Sequence, residues 1–265
     1  MSKEAKIHEL VKLIGAFLPL PKSIEPFPDI KHKTINKLAE QAADLSNDLD
    51  PVKLPPYIFD PTAPEMLGKV TACALLLQDK NALVDLRDNR FYGAGIYAIY
   101  FRGSFFAYSG LSNTETPIYI GSAEPANKMA GDVRKQGQAI WKRLSEHAKS
   151  ISRAGNIELE DFEYRYLAVK SGMQKAAEDY LINHFKPIWN KEVKICFGFG
   201  KHGDSAETRK NKRSPWDTLH PGRDWADEST HDQKGESMIV DAINMHLNKL
   251  PPIEIVDFKS LLLPV

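Results

Sequence analysis

The sequence predicts an α+β fold in which a small mixed or antiparallel sheet is flanked by helices. Two observations lead to this prediction. The runs GIYAIYF (95–101) and PIYIG (117–121) are β-branched and aromatic and are bounded by Gly and Pro, which is typical of strands. Helical periodicities then alternate with a third strand-like run, so the order between residues 95 and 185 is strand, strand, helix, strand, helix.

The N-terminal part is predicted to be helical, with amphipathic helices over residues 3–18 and 33–49 separated by a proline-containing segment. The second helix has a narrow apolar stripe, which either packs on its own domain or forms a dimer seam. Prolines between residues 51 and 56 interrupt the pattern. We therefore expect a helical extension over 1–56 and a larger domain over 57–265.

The larger domain begins with a helix for which Thr62 is the predicted N-cap, with Glu65 reaching back and Pro64 in the first turn. This helix is expected to end near Leu77. Further predictions are a helix over 138–153, a strand over 162–169 and a helix over 173–185 that must end before Pro187. In an irregular C-terminal tail, a turn at 220–226 leads into a short helix, and a final amphipathic helix covers 236–249.

Composition sets limits on the function. The 265 residues are 42% hydrophobic and 26% charged, as in ordinary globular proteins. The 35 basic and 35 acidic side chains balance, which excludes a global basic field but allows local basic patches. Cys73 and Cys196 lie far apart, which favours two reduced structural thiols over a zinc site. Without a signal peptide or a long apolar run, we expect a cytoplasmic bacterial protein that does not contact a membrane.

Candidate catalytic and metal-binding residues lie within the strand-like runs and in the segments that follow them. Arg143 and His147 are four residues apart on a predicted helix, where Arg can bind a phosphate and His can transfer a proton. A carboxylate at the edge of an apolar helix face can bind Mg²⁺. Each residue alone also has an ordinary structural explanation, such as a strand tyrosine, a solvated helix face or a turn asparagine. The complete set is Tyr97, Tyr119, Arg143, His147, Glu178 and Asn190.

The order GIY, YIG, R-x-x-x-H, E, N resembles the GIY-YIG nuclease superfamily. The stretches GAGIYAIYF, PIYIGSAEP, KPIWN, SPWD and LHPGRDWA resemble its type II restriction endonuclease branch, over roughly residues 57–247. There are two departures from the family pattern. The gap between the triplets, residues 98–118, is longer than is usual, and Ser122 follows YIG where many members have lysine.

The resemblance implies a role for each residue. Tyr97 would be the general base or proton relay, with His147 beside it. Tyr119 would position the water or the phosphate, and Arg143 would stabilise charge. Glu178 would bind the metal and Asn190 would support the site. A single placed carboxylate favours one Mg²⁺ per site, with Mn²⁺ as a possible substitute.

The resemblance further implies a sequence-specific endonuclease that cuts double-stranded DNA at a short GC-rich palindrome. A two-fold homodimer matches a palindrome, and a cognate DNA methyltransferase is the expected companion. Two alternatives stay open. One is a repair or mobile-element nuclease with the same catalytic module, and the other is a catalytically silent DNA-binding protein of the same fold.

Two local basic segments are candidates for phosphate contact. Residues 128–153 contain seven Lys or Arg against two acidic residues, and residues 201–213 contain five against two. Arg209, Arg213 and Arg223 are candidates for reading base edges. The predicted DNA contacts are Lys128, Lys135, Lys142, Arg209, Lys210, Lys212, Arg213 and Arg223.

Overall fold

The computed structural model of the protein describes residues 60–262 except 126, 128, 129, 131, 171, 201–211 and 230, together with scattered positions before residue 60. The chain divides into two compact units, Met1–Phe59 and Asp60–Val265. The predicted helices at 3–18 and 33–49 lie largely outside the described residues, although the described positions 39–45 are helical. The role of residues 1–56 as an extension stays a prediction.

The second unit is built on a four-stranded antiparallel sheet in the order β1-β4-β2-β3. Every residue of β2 is buried, because β2 pairs with a strand on each side and is covered on both faces. This explains why GIYAIYF is apolar throughout rather than alternating. The predicted α+β class is confirmed. The strands are β1 (Asn81–Ala82), β2 (Gly95–Phe101), β3 (Tyr119–Ala123) and β4 (Phe162–Ala168), with a parallel pair, β5 (Lys212–Arg213) and β6 (His231–Asp232), in the tail.

Helices pack on both faces of the sheet. They are α1 (Pro64–Leu76), α2 (Ala139–Arg153), α3 (Gln174–Phe185), α4 (Pro215–Leu219), α5 (Asp224–Asp227), α6 (Glu236–Lys249) and α7 (Phe258–Leu262). Successive side chains of β2 point to opposite faces of the sheet and so pack in two separate hydrophobic cores. Ile96 packs among residues of α1, α3 and α7, whereas Tyr97 packs among residues of α2, α4 and α6. Tyr97 therefore points towards the helix that carries Arg143 and His147.

The start of α1 differs from the prediction. Its N-cap is Ala63, and no side chain caps the helix, although Pro64 does occupy the first turn. The Thr62 hydroxyl donates instead to the Asp60 carboxylate, 2.7 Å away, and the Thr62 amide donates to the same oxygen. The predicted capping box is therefore wrong. The Thr62 hydroxyl is bound to the Asp60 carboxylate two residues upstream and does not cap the helix.

The C-terminal tail is part of the core. The Trp189 indole N–H donates to the Tyr108 hydroxyl over 2.9 Å, and His220 Nε2 lies 2.5 Å from the same oxygen. His220 is fully buried, and its Nδ1 is bonded to the Asn156 side chain. The tail is thus held against the same face of the sheet as Tyr97.

Two composition-based expectations concern cysteines and membranes. Cys73 and Cys196 are both buried free thiols, as predicted. Over the part of the chain that the structure describes, no helix has the length and apolar character needed to cross a bilayer.

Candidate active site

Tyr97 and His147 form the buried centre of the candidate site. The Tyr97 hydroxyl and His147 Nε2 are 2.8 Å apart and share a hydrogen bond. His147 occupies the buried stripe of α2 together with Ile140, Leu144 and Ile151, so the helix places the imidazole under the sheet. Both side chains are completely buried. The two residues that sequence reasoning assigned to proton transfer are therefore in direct contact.

Tyr119 joins this pair from the neighbouring strand. Its ring centroid is 4.9 Å from that of His147, in an edge-on arrangement, and 6.3 Å from that of Tyr97. Phe199 stacks on His147 with ring centroids 4.5 Å apart and also contacts Tyr119 edge-on at 5.2 Å. Unlike Tyr97, Tyr119 is partly exposed and lines a cavity of about 220 Å³. The cavity therefore meets the aromatic cluster at Tyr119.

Steric contacts explain why glycine occupies positions 95 and 121 in the two triplets. In the β2–β3 register Gly121 lies opposite Tyr97. A Cβ on Gly121 would come within 2.5 Å of the Tyr97 hydroxyl oxygen and 2.6 Å of Cζ, so the phenol occupies the space that any other residue would fill. Gly95 has a φ of +157°, and a Cβ there would collide with the Leu167 carbonyl of β4. Both glycines permit close packing around the tyrosine.

The phenols are neutral at neutral pH. Burial raises the pKa of Tyr97 well above its usual value of 10, and the neighbouring Tyr119 raises it further. Burial likewise raises the pKa of Tyr119 to about 12. The Arg143 guanidinium opposes both shifts, and it is paired with Glu146 at 2.8 Å. Neither tyrosine is ionised on its own, so a proton taken up by Tyr97 requires an acceptor for the one it already holds.

Glu178 lies at the wall of the same 220 Å³ cavity. Its Oε2 accepts a hydrogen bond from the Ser122 hydroxyl at 2.8 Å, and Lys175 Nζ is 3.5 Å from the same oxygen. The side chain is 16% exposed. Ser122, the residue that follows the YIG triplet on β3, thus fixes the orientation of the carboxylate.

The donor set fits a magnesium ion held largely by water and phosphate. Among the described residues there is no group of three or more His, Cys, Asp or Glu that could hold a metal together. Glu178 would supply one hard oxygen ligand at a cavity wall, and Glu192 lines the same cavity. Because Mg²⁺ keeps several waters and commonly uses one or two carboxylates with substrate phosphates, such a sparse site is compatible with it.

Asn190 holds the backbone of β3. Its Oδ1 accepts from the Ile120 amide at 2.9 Å, and its Nδ2 donates to the Ile120 carbonyl at 2.8 Å. The side chain is only 4% exposed. Ile120 lies between Tyr119 and Gly121, so Asn190 positions the strand that carries Tyr119. The supporting role in catalysis that the resemblance implied for Asn190 stays a prediction.

Arg223 is buried beside the site rather than exposed to a ligand. It is 1% exposed and is paired with the equally buried Asp217 at 2.6 Å. Its guanidinium donates to the carbonyls of Gly198 and Phe199 and lies over the ring of Trp216. In this structure the donors of Arg223 face inward and hold the segment that stacks on His147, and its contact with DNA stays a prediction.

The other predicted DNA contacts divide into three groups. Lys128, Arg209 and Lys210 lie outside the described residues. Arg213 is half-buried and paired with Asp232 at 2.6 Å. The exposed cations are Lys135, Lys142 and Lys212. Of these, Lys142 lines a cavity of about 400 Å³ together with Arg143 and Ser122.

Sequence reasoning missed several residues of the site. Ser122 and Phe199 touch Glu178 and His147 respectively, but each is distant from its partner along the chain. Their roles come from tertiary contact, for which a single sequence has no signal. Lys191 and Glu192 follow Asn190 directly and line the 220 Å³ cavity. Their nearness to a predicted site residue was the only sequence clue.

Comparison with known proteins agrees with this geometry. Residues 89–247 match the family model described as the Eco29kI GIY-YIG domain. The matched range contains all six residues of the candidate site, both strand triplets and the buried Arg223. No curated protein matches the chain.

Proposed function

The chain belongs to the Eco29kI GIY-YIG family of type II restriction endonuclease domains, and we propose on that premise that it cuts both strands of DNA at one short sequence. A domain of this family is a nuclease domain, with DNA as its substrate. The proposal adds a palindromic GC-rich target, Mg²⁺ or Mn²⁺ as cofactor and a homodimeric active form. The observation that best supports it is the contact between Tyr97 and His147 beside the cavity that Tyr119 and Glu178 line.

The proposed proton path begins at Tyr97. The attacking water gives a proton to Tyr97 Oη while His147 Nε2 accepts the proton that the phenol held. This relay follows from the neutral state of the buried phenol and from the 2.8 Å contact. Because Tyr97 is completely buried, the proposal requires that DNA binding brings a water to its hydroxyl.

The remaining residues position the water and the phosphate and neutralise negative charge. Tyr119, at the cavity wall, orients the water or the phosphate, and Arg143 balances negative charge on the phosphate oxygens. The water oxygen bonds to phosphorus as the bond to the 3′ oxygen breaks, and the 3′ oxygen then takes a proton from bulk water. Glu178 would hold the metal ion, which when bound would neutralise the phosphate and the leaving oxygen.

A palindromic target needs two matched sites. One site cuts one strand, so a two-fold homodimer would place a site on each strand. We propose this state for the DNA-bound protein, together with a companion methyltransferase that protects the same sequence. Sedimentation with a single specific duplex tests the dimer, and the expected complex contains two protomers.

Digestion of a supercoiled plasmid tests the function. With Mg²⁺ or Mn²⁺ we expect discrete fragments whose sequenced ends share one short palindrome, and with a chelator we expect no cutting. A smear or a single nick would contradict a restriction-type target and support a repair or mobile-element nuclease. Binding without cleavage in Mg²⁺ would contradict the nuclease proposal and support a silent DNA-binding protein.

A further inference from the structure

The outer face of α2 forms one wall of a groove of about 710 Å³. The opposite wall is the turn at Leu83–Arg87, which the Trp141 indole N–H fastens by donating to the Leu86 carbonyl at 2.9 Å. The candidate site uses other faces of the same helix, those of His147 and Arg143. The groove is therefore a second feature of α2, and the proposed reaction does not use it.

The rim of this groove is strongly basic. Five exposed cations line it, against a single carboxylate in the lining, that of Glu146, which contacts Arg143. Within the described part of the chain none of the five has an acidic partner in an ion pair, whereas Arg90 lies over the Trp141 ring at 5.0 Å. The five are Arg87, Arg90, Lys142, Lys149 and Arg153.

The spacing of the cations on α2 suits an extended polyanion. Lys142, Lys149 and Arg153 are separated by seven and four residues and so share a helix face. The distance from the first to the third is roughly 16 Å at the rise of an α-helix. That length corresponds to about five nucleotide steps along a DNA duplex.

The groove is continuous with the candidate active site. Lys142 and Glu146 line both the groove and the 400 Å³ cavity, and Arg143 and Ser122 line the latter. Arg143 acts on the buried tyrosines, and Ser122 binds Glu178. A DNA backbone with its phosphate at Glu178 and Arg143 thus meets a mainly cationic surface along α2, in which, among the described residues, Glu146 is the one carboxylate that lines both cavities.

We propose that this groove binds the phosphate backbone of duplex DNA beside the cleaved bond. The inference rests on the proposed function and extends it to Arg87 and Arg90, which lie outside the basic segments noted in the sequence, and to Lys149 and Arg153, which belong to the segment 128–153 but were not named as contacts. The excess of positive charge and the continuity with the site favour DNA over a peptide ligand, which the apolar lining residues Leu83, Leu86 and Leu159 alone would also suit. Contacts of this kind set affinity and salt dependence rather than sequence choice.

Direct binding measurements test the groove. In a Glu178→Ala background, which keeps the duplex intact, Lys149→Ala and Arg153→Ala are combined and DNA binding is measured from low to moderate salt. Loss of two phosphate contacts should lower the slope of log affinity against log salt by about 2. The loss of affinity should be largest at low salt and similar for different duplex sequences.

The matched control removes the same charge elsewhere. Lys249→Ala with Lys259→Ala, two exposed positions on α6 and α7, should leave affinity and slope at the parent values. Equal behaviour of the groove variant and this control would overturn the inference and point to a protein partner, as would a parent that binds no duplex. Cleavage is not measured, so a protein that binds through the groove without cutting contradicts only the proposed nuclease function.

Discussion

Tyr97 connects the two strand triplets to the helix that carries Arg143 and His147. Its ring lies over Gly121 of β3, its hydroxyl contacts His147, and its pKa is raised by burial. The phenol therefore stays protonated at neutral pH and can act in a proton path only together with the imidazole.

Replacing Tyr97 with Phe tests this role. The shape of the ring is kept while the hydroxyl is lost, so we expect the fold to persist and the cleavage rate to fall by about 100-fold or more. Tyr166→Phe is the control, because it removes a hydroxyl from a neighbouring tyrosine. Tyr166 lies on β4, where it pairs with Tyr97 of β2, and its ring stacks on Phe91. Equal rates for the Tyr97 variant and the parent would contradict the proposed relay.

Gly121→Ala tests the packing argument at the same residue scale. The added methyl group would lie 2.5 Å from the Tyr97 hydroxyl oxygen, so the ring must move. We expect a loss of about 1–3 kcal/mol of unfolding free energy, as for other overpacked cores, together with a loss of cleavage. Urea unfolding and a cleavage assay measure the two effects, and a fully active, fully stable variant would contradict the steric account.

At the scale of elements, the segment at residues 197–200 depends on the C-terminal tail. Arg223 joins α4 to this segment by contacting Asp217 and the carbonyls of Gly198 and Phe199, and Phe199 in turn stacks on His147. The stretch LHPGRDWA, which resembles the restriction endonuclease branch, thus holds the segment that contacts His147.

Arg223→Ala distinguishes this role from DNA contact. Removing the guanidinium leaves Asp217 buried and unpaired, which typically costs about 3–5 kcal/mol of unfolding free energy. Arg213→Ala is the matched control, because its pair with Asp232 is partly exposed and should be worth about 1 kcal/mol or less. A stable Arg223 variant with weakened DNA binding would instead support the contact predicted from the sequence.

The elements also show what a single sequence can predict. Strands 95–101 and 162–168 and helices α2, α3 and α6 were predicted within a few residues, because their apolar periodicity is long and sharply bounded. The two-residue strands and α7 are too short to show a period. Thr62 was misassigned as the N-cap because the Asp60 carboxylate, two residues upstream, binds its hydroxyl. The burial of Arg223 against Asp217 depends on tertiary contacts, for which the sequence has no signal.

At the scale of the whole molecule, a chain of zero net charge can still present a local cationic surface. The 35 acidic side chains balance the total, yet the groove beside the site has five cations and one carboxylate. The zero net charge therefore does not argue against DNA binding, and the excess of cations around α2 is the observation that favours it.

Acid stability is a second property of the whole molecule. Burial lowers the pKa of His220 from 6.5 to about 3, and the Arg223 charge adds to the shift. Between these pH values the unfolded chain binds more protons than the native one, so this contribution is fully present above pH 6.5 and is lost as the pH falls.

We expect the unfolding free energy of the parent to decrease from pH 7 to pH 5 more steeply than that of His220→Gln. Urea unfolding at both pH values gives the two slopes. His184, whose pKa burial also lowers, remains in both proteins and affects them equally. Identical pH slopes would contradict a neutral, buried His220.

We propose that Glu178 and the tyrosine–histidine pair form a metal-dependent DNA-cutting site. The most direct test of this proposal is plasmid cleavage in Mg²⁺ by Glu178→Ala, compared with Asp179→Ala, the adjacent and largely exposed carboxylate of α3. We expect Glu178→Ala to bind DNA like the parent without cutting it, and Asp179→Ala both to bind and to cut. Cleavage by Glu178→Ala at the parent rate would contradict the proposal.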